Sequence, residues 1–399
     1  LFKDEIVYNS QKIKVKEVTS FEETNDDEIQ IIFTTIQNLH LKLNTPTENQ
    51  ITYDGVKDLK IVLLSDEAHH LQTATQKKEV EELEEEEIGW ESTVSKLLKQ
   101  NRDNILLEYT ATIDLDNENI AKKYEDKIII RYSLKEFRED KYSKDISLLK
   151  SDMSKDKRVL SALLLSYYRE KVASDNGINL KPTILIKSMK IKDSESDMED
   201  FLDLIKNLSV SDFEYFKDYD NPQIQKAISY FEKDSGFSYE NLITIFKYNY
   251  VDESIRIVNN TSVNETIVKE LNELEKNSIR VIFAVNMLNE GWDVLNLFDI
   301  VRLDESNSSK KDTVISDKQL IGRGCRIFPF KVVGRETFQR KFDEDLDNDL
   351  RVLEEFYYHS KNNDKFISSL KDNLVKEGLI DTDEIEIEVK LKDEFKDND

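Results

Sequence analysis

Ile61-Val62-Leu63-Leu64-Ser65-Asp66-Glu67-Ala68-His69-His70 decides the fold. Four apolar residues in succession, without polar alternation, fit a strand buried on both faces, as in a parallel sheet. Two carboxylates directly after such a strand stand at the carboxyl edge of the sheet, where open α/β sheets bind ligands. There Asp66 can hold Mg²⁺ or its waters, and Glu67 can accept a proton from a water attacking a phosphate. Taken as residues alone, the string also fits an ordinary acidic turn.

Working outward, short apolar runs recur at Ile29–Phe33, Lys60–Leu64, Asn104–Leu107, Lys127–Ile130, Thr183–Ile186, Ile255–Val258, Arg280–Val285 and Ile300–Leu303. Helical spacing lies between several of them: Leu160, Leu163, Leu164 and Tyr167 within 157–172, and Ile267, Leu271 and Leu274 within 265–274. Alternating strands and helices predict doubly wound α/β domains. Their boundaries are expected at 1–135 for a first lobe, 136–180 for a charged linker and connecting helix, and 181–345 for a second lobe. Residues 346–399, helical around Leu353, Phe356 and Tyr357, are expected to begin a further domain. The acidic run Glu79–Glu87 reads as an exposed helical insertion.

Composition narrows the class. The chain has 399 residues and a formal net charge of −25, so attachment to nucleic acid through the overall field is disfavoured and phosphate contacts must be local. Nine glycines and four prolines are about 3% of the chain, against a usual level near 12%, which argues against disordered linkers. One cysteine cannot close an internal disulfide, and no run of eighteen apolar residues exists to span a membrane. A reducing cytoplasm fits best.

A second block is Gln319-Leu320-Ile321-Gly322-Arg323-Gly324-Cys325-Arg326. Arg323 and Arg326, three apart, would point the same way on a helix, and two guanidinium groups can neutralise charge developing on a γ-phosphate. The flanking glycines allow close backbone approach. A pair of solvated surface arginines is the plainer reading.

Together these blocks resemble superfamily 2 helicases and translocases. Asp66-Glu67-Ala68-His69 resembles the DEAH box and Gln319 to Arg326 the sixth motif. In order between and around them, Phe33-Thr34-Thr35-Ile36-Gln37-Asn38-Leu39 is similar to a nucleic-acid-contacting segment. Thr110-Ala111-Thr112 is similar to the third motif, and Asn286-Met287-Leu288-Asn289-Glu290-Gly291-Trp292-Asp293 to the fifth. The wording of the blocks, with Phe356-Tyr357-Tyr358-His359-Ser360, resembles the restriction subunit of type III restriction-modification enzymes over about residues 29 to 360. The resemblance implies two RecA-like lobes with mostly parallel sheets flanked by helices. It also implies ATP and Mg²⁺, action on double-stranded DNA, a methyltransferase partner and no membrane.

Carried over by position, Asp66 holds Mg²⁺, Glu67 orients or deprotonates the attacking water, and Arg323 and Arg326 act as arginine fingers. His69, Thr110, Thr112, Gly291, Asp293 and Gln319 couple nucleotide state to the lobes. Thr34, Thr35, Gln37 and Trp292 contact nucleic acid.

The sequence departs from the family in two places. No Gly-x-x-x-x-Gly-Lys-Ser/Thr occurs, so the loop that cradles phosphates is missing; the first lobe is expected to be truncated and the fragment alone inactive. The nuclease is missing too, because Glu388-Val389-Lys390 reads as an exposed strand. No Cys/His cluster has zinc-ligand spacing. Two other readings stay open: another superfamily 2 DNA or RNA helicase, or a non-catalytic DNA-binding or assembly module.

Overall fold

The computed structural model describes residues 5–21, 27–45, 51–68, 85–110, 113, 115, 117–188, 190–258, 265–285, 292, 294–304 and 311–381. The chain forms two compact units, 1–131 and 132–399.

In the first unit, β1 (Glu5–Tyr8) and β2 (Gln11–Glu17) form an antiparallel hairpin. It turns through Asn9 and Ser10, both with positive φ, the backbone that matches strand twist in a two-residue turn. β2 pairs in parallel with β3 (Glu28–Ile31). β4 (Val62–Ser65) pairs in parallel with β5 (Ile105–Glu108), with Ser65 opposite Glu108. The helix Ile36–Asn44 meets the helix Glu85–Leu98 where His40 Nδ1 lies 2.7 Å from Thr93 Oγ1. Leu43, Ile51, Val56, Ile61 and Leu97 make the core.

Two expectations are corrected here. Val62, Leu64 and Ile105 are exposed, so β4 and β5 bury one face, with Leu63 against the core, and not two. Residues Lys127–Ile130 form no strand, and Ile129 and Ile130 are exposed; apolar, β-branched composition makes no strand without a ladder partner. Of the acidic run, residues 79–84 lie outside the described residues, and its end begins the helix Glu85–Leu98.

The second unit is built on a six-stranded, wholly parallel sheet. Its strands are β6 (Asp145–Ser151), β7 (Thr183–Lys187), β8 (Ile255–Val258), β9 (Val281–Ala284), β10 (Leu297–Arg302) and β11 (Glu355–Lys361), in the order β6-β11-β10-β7-β9-β8. Alternate residues serve opposite cores: Ile184, Phe283, Phe298 and Tyr357 face one, and Leu185, Ile282, Leu297 and Phe356 the other. The first core is closed by helices Lys155–Asp175, Ser194–Lys206, Pro222–Glu232 and Tyr239–Asn249, the second by Glu265–Asn272, Lys311–Gly324 and Asp364–Lys376. Here the continuous apolar runs are indeed buried on both faces, and the α/β class with parallel sheets flanked by helices holds.

The sheet extends beyond the limits expected for a second lobe. Residues 145–151, assigned to a linker, and 355–361, assigned to a helical start of another domain, are adjacent strands of it. Leu353 does lie in a short 3-10 helix, Asp349–Glu354, but Phe356 and Tyr357 belong to β11, where a doubly covered strand meets the same apolar demand as a helix face.

Candidate nucleotide-phosphate site

Asp66 and Glu67 follow β4 at its carboxyl end, as the sequence predicts. Glu67 has φ of +48°, a left-handed backbone uncommon for a non-glycine residue and found mostly where the chain must turn sharply. The turn is held from two sides: Glu67 N–H donates to Asp66 Oδ1 at 2.9 Å, and Ala68 N–H donates to Tyr109 O at 3.0 Å. Tyr109 N–H in turn donates to Ser65 O at 2.8 Å. These bonds bring Thr110, just past β5, beside the carboxylate turn. Asp66 is exposed, Glu67 and Thr110 are half-buried, and Ala68 is buried. His69 and Thr112 lie outside the described residues.

The donor set suits Mg²⁺. That ion takes one or two protein carboxylates and fills its octahedron with waters and phosphate oxygens. Among the described residues no group of three or more His, Cys, Asp or Glu could by itself hold a metal ion.

Thr34, Thr35 and Gln37 are exposed beyond β3. Thr35 caps the helix Ile36–Asn44, its Oγ1 accepting from Asn38 N–H at 3.3 Å. Its hydroxyl therefore has a structural duty as well as an accessible position.

In the second unit the helix Lys311–Gly324 buries Val314, Asp317, Leu320 and Ile321 and carries exposed Gln319 and half-buried Arg323 four apart on its other side. The expectation that Arg323 and Arg326 share a helical face is corrected. The helix ends at Gly324, between them, and Arg326 forms an antiparallel bridge with Ser143. Gly324 requires its missing side chain: a Cβ there would lie 2.3 Å from Phe356 Cε2 and 3.0 Å from Leu297 Cδ2. At Gly322 nothing among the described residues lies within 4 Å of the same point, so as far as those residues go the helix is open to an approaching group beside Gln319.

Trp292 is also corrected. Its ring is 3% exposed and its Nε1–H donates to Leu271 O at 3.1 Å, so it is a core residue and offers no stacking face. Its backbone does meet the arginine block, because Arg323 Nη1 donates to Trp292 O at 2.8 Å. Gly291 and Asp293 lie outside the described residues.

One contributor has no sequence signal. Lys144 Nζ donates to Leu295 O at 2.9 Å, Leu297 O at 2.8 Å and Gly324 O at 2.9 Å, and stands 4.1 Å from the Phe298 ring centroid. It is fully buried, and burial pushes its ammonium well below the usual lysine range. Only the folded chain brings residues so distant in sequence together.

These features define a parallel α/β protein presenting paired carboxylates on one unit and an arginine-bearing helix on the other. A family model described as type III restriction enzyme, res subunit, matches residues 3–115, and a second, described as an N-terminal region, matches 313–383. The "Probable type III restriction-modification enzyme HindVIP Res subunit" of Haemophilus influenzae is 36% identical over 366 residues, covering 82% of this chain and 70% of that protein. The chain belongs to the Res subunit family of type III restriction-modification enzymes. An uncharacterized Haemophilus influenzae protein is 46% identical over 96 residues, 23% of this chain and 21% of its own.

Two solved structures are similar at low overlap. S. cerevisiae Dbp5 bound to RNA and ADP BeF3 is 12% identical over 93% of this chain and 68% of its own, with a TM-score of 0.41. The ATP-dependent type ISP restriction-modification enzyme LlaBIII bound to DNA is 12% identical over 91% of this chain and 24% of its own, with a TM-score of 0.39. No helix among the described residues is long and apolar enough to cross a membrane.

Proposed function

We propose that this chain carries the ATP-dependent motor of a type III restriction enzyme, coupling ATP hydrolysis to translocation or switching on double-stranded DNA. The observation that carries this reading is the carboxylate turn: Asp66 and Glu67 lie at the carboxyl end of a parallel strand, bonded to the neighbouring strand's exit at Tyr109. Membership of the Res family supports it. The partners that follow are DNA and a methyltransferase subunit.

In this reading Asp66 holds Mg²⁺ through the hard carboxylate oxygens described above. The bound ion supplies positive charge to the phosphate oxygens. Glu67 orients the attacking water and takes its proton. Arg323 and Arg326 neutralise charge on the transferred phosphoryl group, and Gln319 contacts phosphate from the open side of its helix. The Ala68 to Tyr109 bond passes a change at the carboxylates to Thr110. Thr34, Thr35 and Gln37 track the nucleic-acid backbone, a contact that fixes position without reading bases. His69, Thr112, Gly291 and Asp293 keep the coupling roles the resemblance implies.

A second reading, a non-catalytic DNA-binding or assembly module, is favoured by one fact: no Gly-x-x-x-x-Gly-Lys-Ser/Thr occurs in the 399 residues. Without that lysine these residues alone should hydrolyse ATP negligibly. The experiment is DNA-stimulated ATPase of the full-length subunit with its modification partner, comparing wild type with Glu67→Gln. General-base catalysis contributes about 10²–10⁴-fold, so turnover should fall by at least about 100-fold. A variant that retains wild-type turnover overturns the motor reading.

A further inference from the structure

Lys144 grips the backbone between the two arginines. Its Nζ holds Gly324 O, one residue after Arg323, and its own N–H donates to Cys325 O, one residue before Arg326. The remaining two ammonium protons go to Leu295 O and Leu297 O, at the entry to β10 and just after Trp292, whose carbonyl receives Arg323. One buried side chain thus joins the end of the arginine helix to the segment that docks Arg323.

The chemistry of the contact favours rigidity. The last carbonyls of a helix carry the negative end of its dipole and lack intrahelical donors. An ammonium with all three protons committed fixes them in one geometry. The Phe298 ring beneath, 4.1 Å from Nζ, adds a cation–π contact. A chain needing only a helix stop has a cheaper device in the glycine already at 324. Among the described residues no carboxylate bonds this ammonium, and burying a lysine on carbonyls alone is costly. The cost is reasonable where angular precision matters, because a misplacement of about 1 Å can lower turnover about 100-fold.

We propose that Lys144 is a positioning residue for Arg323 and Arg326, setting their separation across the helix end through the Gly324 carbonyl. The proposal rests on the motor reading above.

The test uses the full-length subunit with its modification partner and DNA, in four forms besides wild type: Lys144→Gln, Lys144→Met, Arg323→Ala and the Lys144→Gln/Arg323→Ala double variant. Turnover and KM for ATP are measured together with amide hydrogen exchange of the nucleotide-free protein. The expected result is a fall in kcat of about 100-fold in Lys144→Gln, with KM within about threefold. The double variant should lose less than the two single losses combined, because the part of the Lys144 effect carried through Arg323 is already gone, while the part carried through Arg326 remains. Exchange protection should drop at the Cys325 amide, which bonds Ile321 O at 2.8 Å, while β7 stays protected. Unchanged kcat in Lys144→Gln, or losses that add in the double variant, would overturn the proposal. So would failure of both Lys144 variants to fold, which makes the residue one of the fold alone. Failure of the motor reading looks different: Arg323→Ala itself then retains full turnover.

Discussion

Gly322 and Gly324 stand two residues apart on one helix and should respond oppositely to the same methyl group. At Gly324 the added Cβ lies 2.3 and 2.8 Å from Phe356 Cε2 and Cζ and 3.0 Å from Leu297 Cδ2, well inside the roughly 3.5–4.0 Å of a favourable carbon contact. Phe356 is fully buried in β11, an inner strand, so its ring cannot swing away. Overpacking of this kind costs about 1–3 kcal/mol, and relief of glycine's backbone entropy returns at most about 1 kcal/mol. Gly324→Ala should therefore lose about 1–2 kcal/mol. At roughly 2–4 °C per kcal/mol for a unit of this size, the melting temperature should drop about 2–8 °C. Gly322→Ala meets nothing among the described residues within 4 Å, so its melting temperature should equal or slightly exceed wild type. Its methyl group, though, intrudes on the side of the helix where Gln319 stands, and kcat/KM for ATP should fall about tenfold. Differential scanning calorimetry and a steady-state ATPase assay on the full-length protein read both. A thermally unaltered Gly324→Ala refutes the packing argument, and a fully active Gly322→Ala refutes the open-face argument.

Other predictions concern the second unit. Asp299, fully buried, accepts from Arg169 Nη1 at 2.7 Å and meets His359 Nε2 at 3.0 Å. Asp299→Asn strands a buried guanidinium and should cost about 3–5 kcal/mol, read as a shift in the urea midpoint; a shift worth under about 1 kcal/mol would contradict this. Gly378, with φ of +77°, closes the helix Asp364–Lys376 through N–H to Val375 O and Leu379 N–H to Leu374 O. In Gly378→Ala the left-handed backbone alone costs about 1–2 kcal/mol, and the Cβ would sit 2.8 Å from Lys135 Cα, so chemical denaturation should register a loss of at least about 2 kcal/mol. Burial pushes the Cys325 thiol up to about 11. An aromatic disulfide reagent at pH 8 should therefore leave it unlabelled until the protein unfolds. Because the folded thiol keeps its proton above the ordinary value of 9.0, its contribution to stability is complete below about pH 9 and is lost as pH rises toward 11.

Much of the carboxylate turn was legible because its determinants are local. Four apolar residues before Asp66 specify the strand, and the pair of carboxylates specifies where it stops. The same holds for β7, β8 and β9, whose apolar runs coincide with buried strands. What escaped depends on distant residues. β6 and β11 carry Asp145, Ser147, His359 and Ser360 among their apolar positions, and polarity of that kind reads as linker. In the folded unit His359 is satisfied by Asp299, and Asp145 by Arg351 at 2.6 Å. The end of the arginine helix was missed for a similar reason. Spacing continues through Arg326, and it is Phe356, Lys144 and the bridge to Ser143 that stop the helix at Gly324. Trp292 was misassigned because a large aromatic ring within a motif looks alike in sequence whether it faces a base or the core.

The strand order has a consequence for how the protein is made. β6 pairs only with β11 among the assigned strands, about 210 residues later in the chain, and β11 also covers one side of β10. Closing a loop of that length is slow and entropically expensive. During synthesis β6 and β10 therefore wait, each with an unpaired edge, until residues 355–361 have left the ribosome. An unpaired apolar edge invites association with other chains. Ribosome stalling or early termination before residue 355 should leave aggregation-prone nascent chains, whereas release after residue 361 lets the sheet close in a single step.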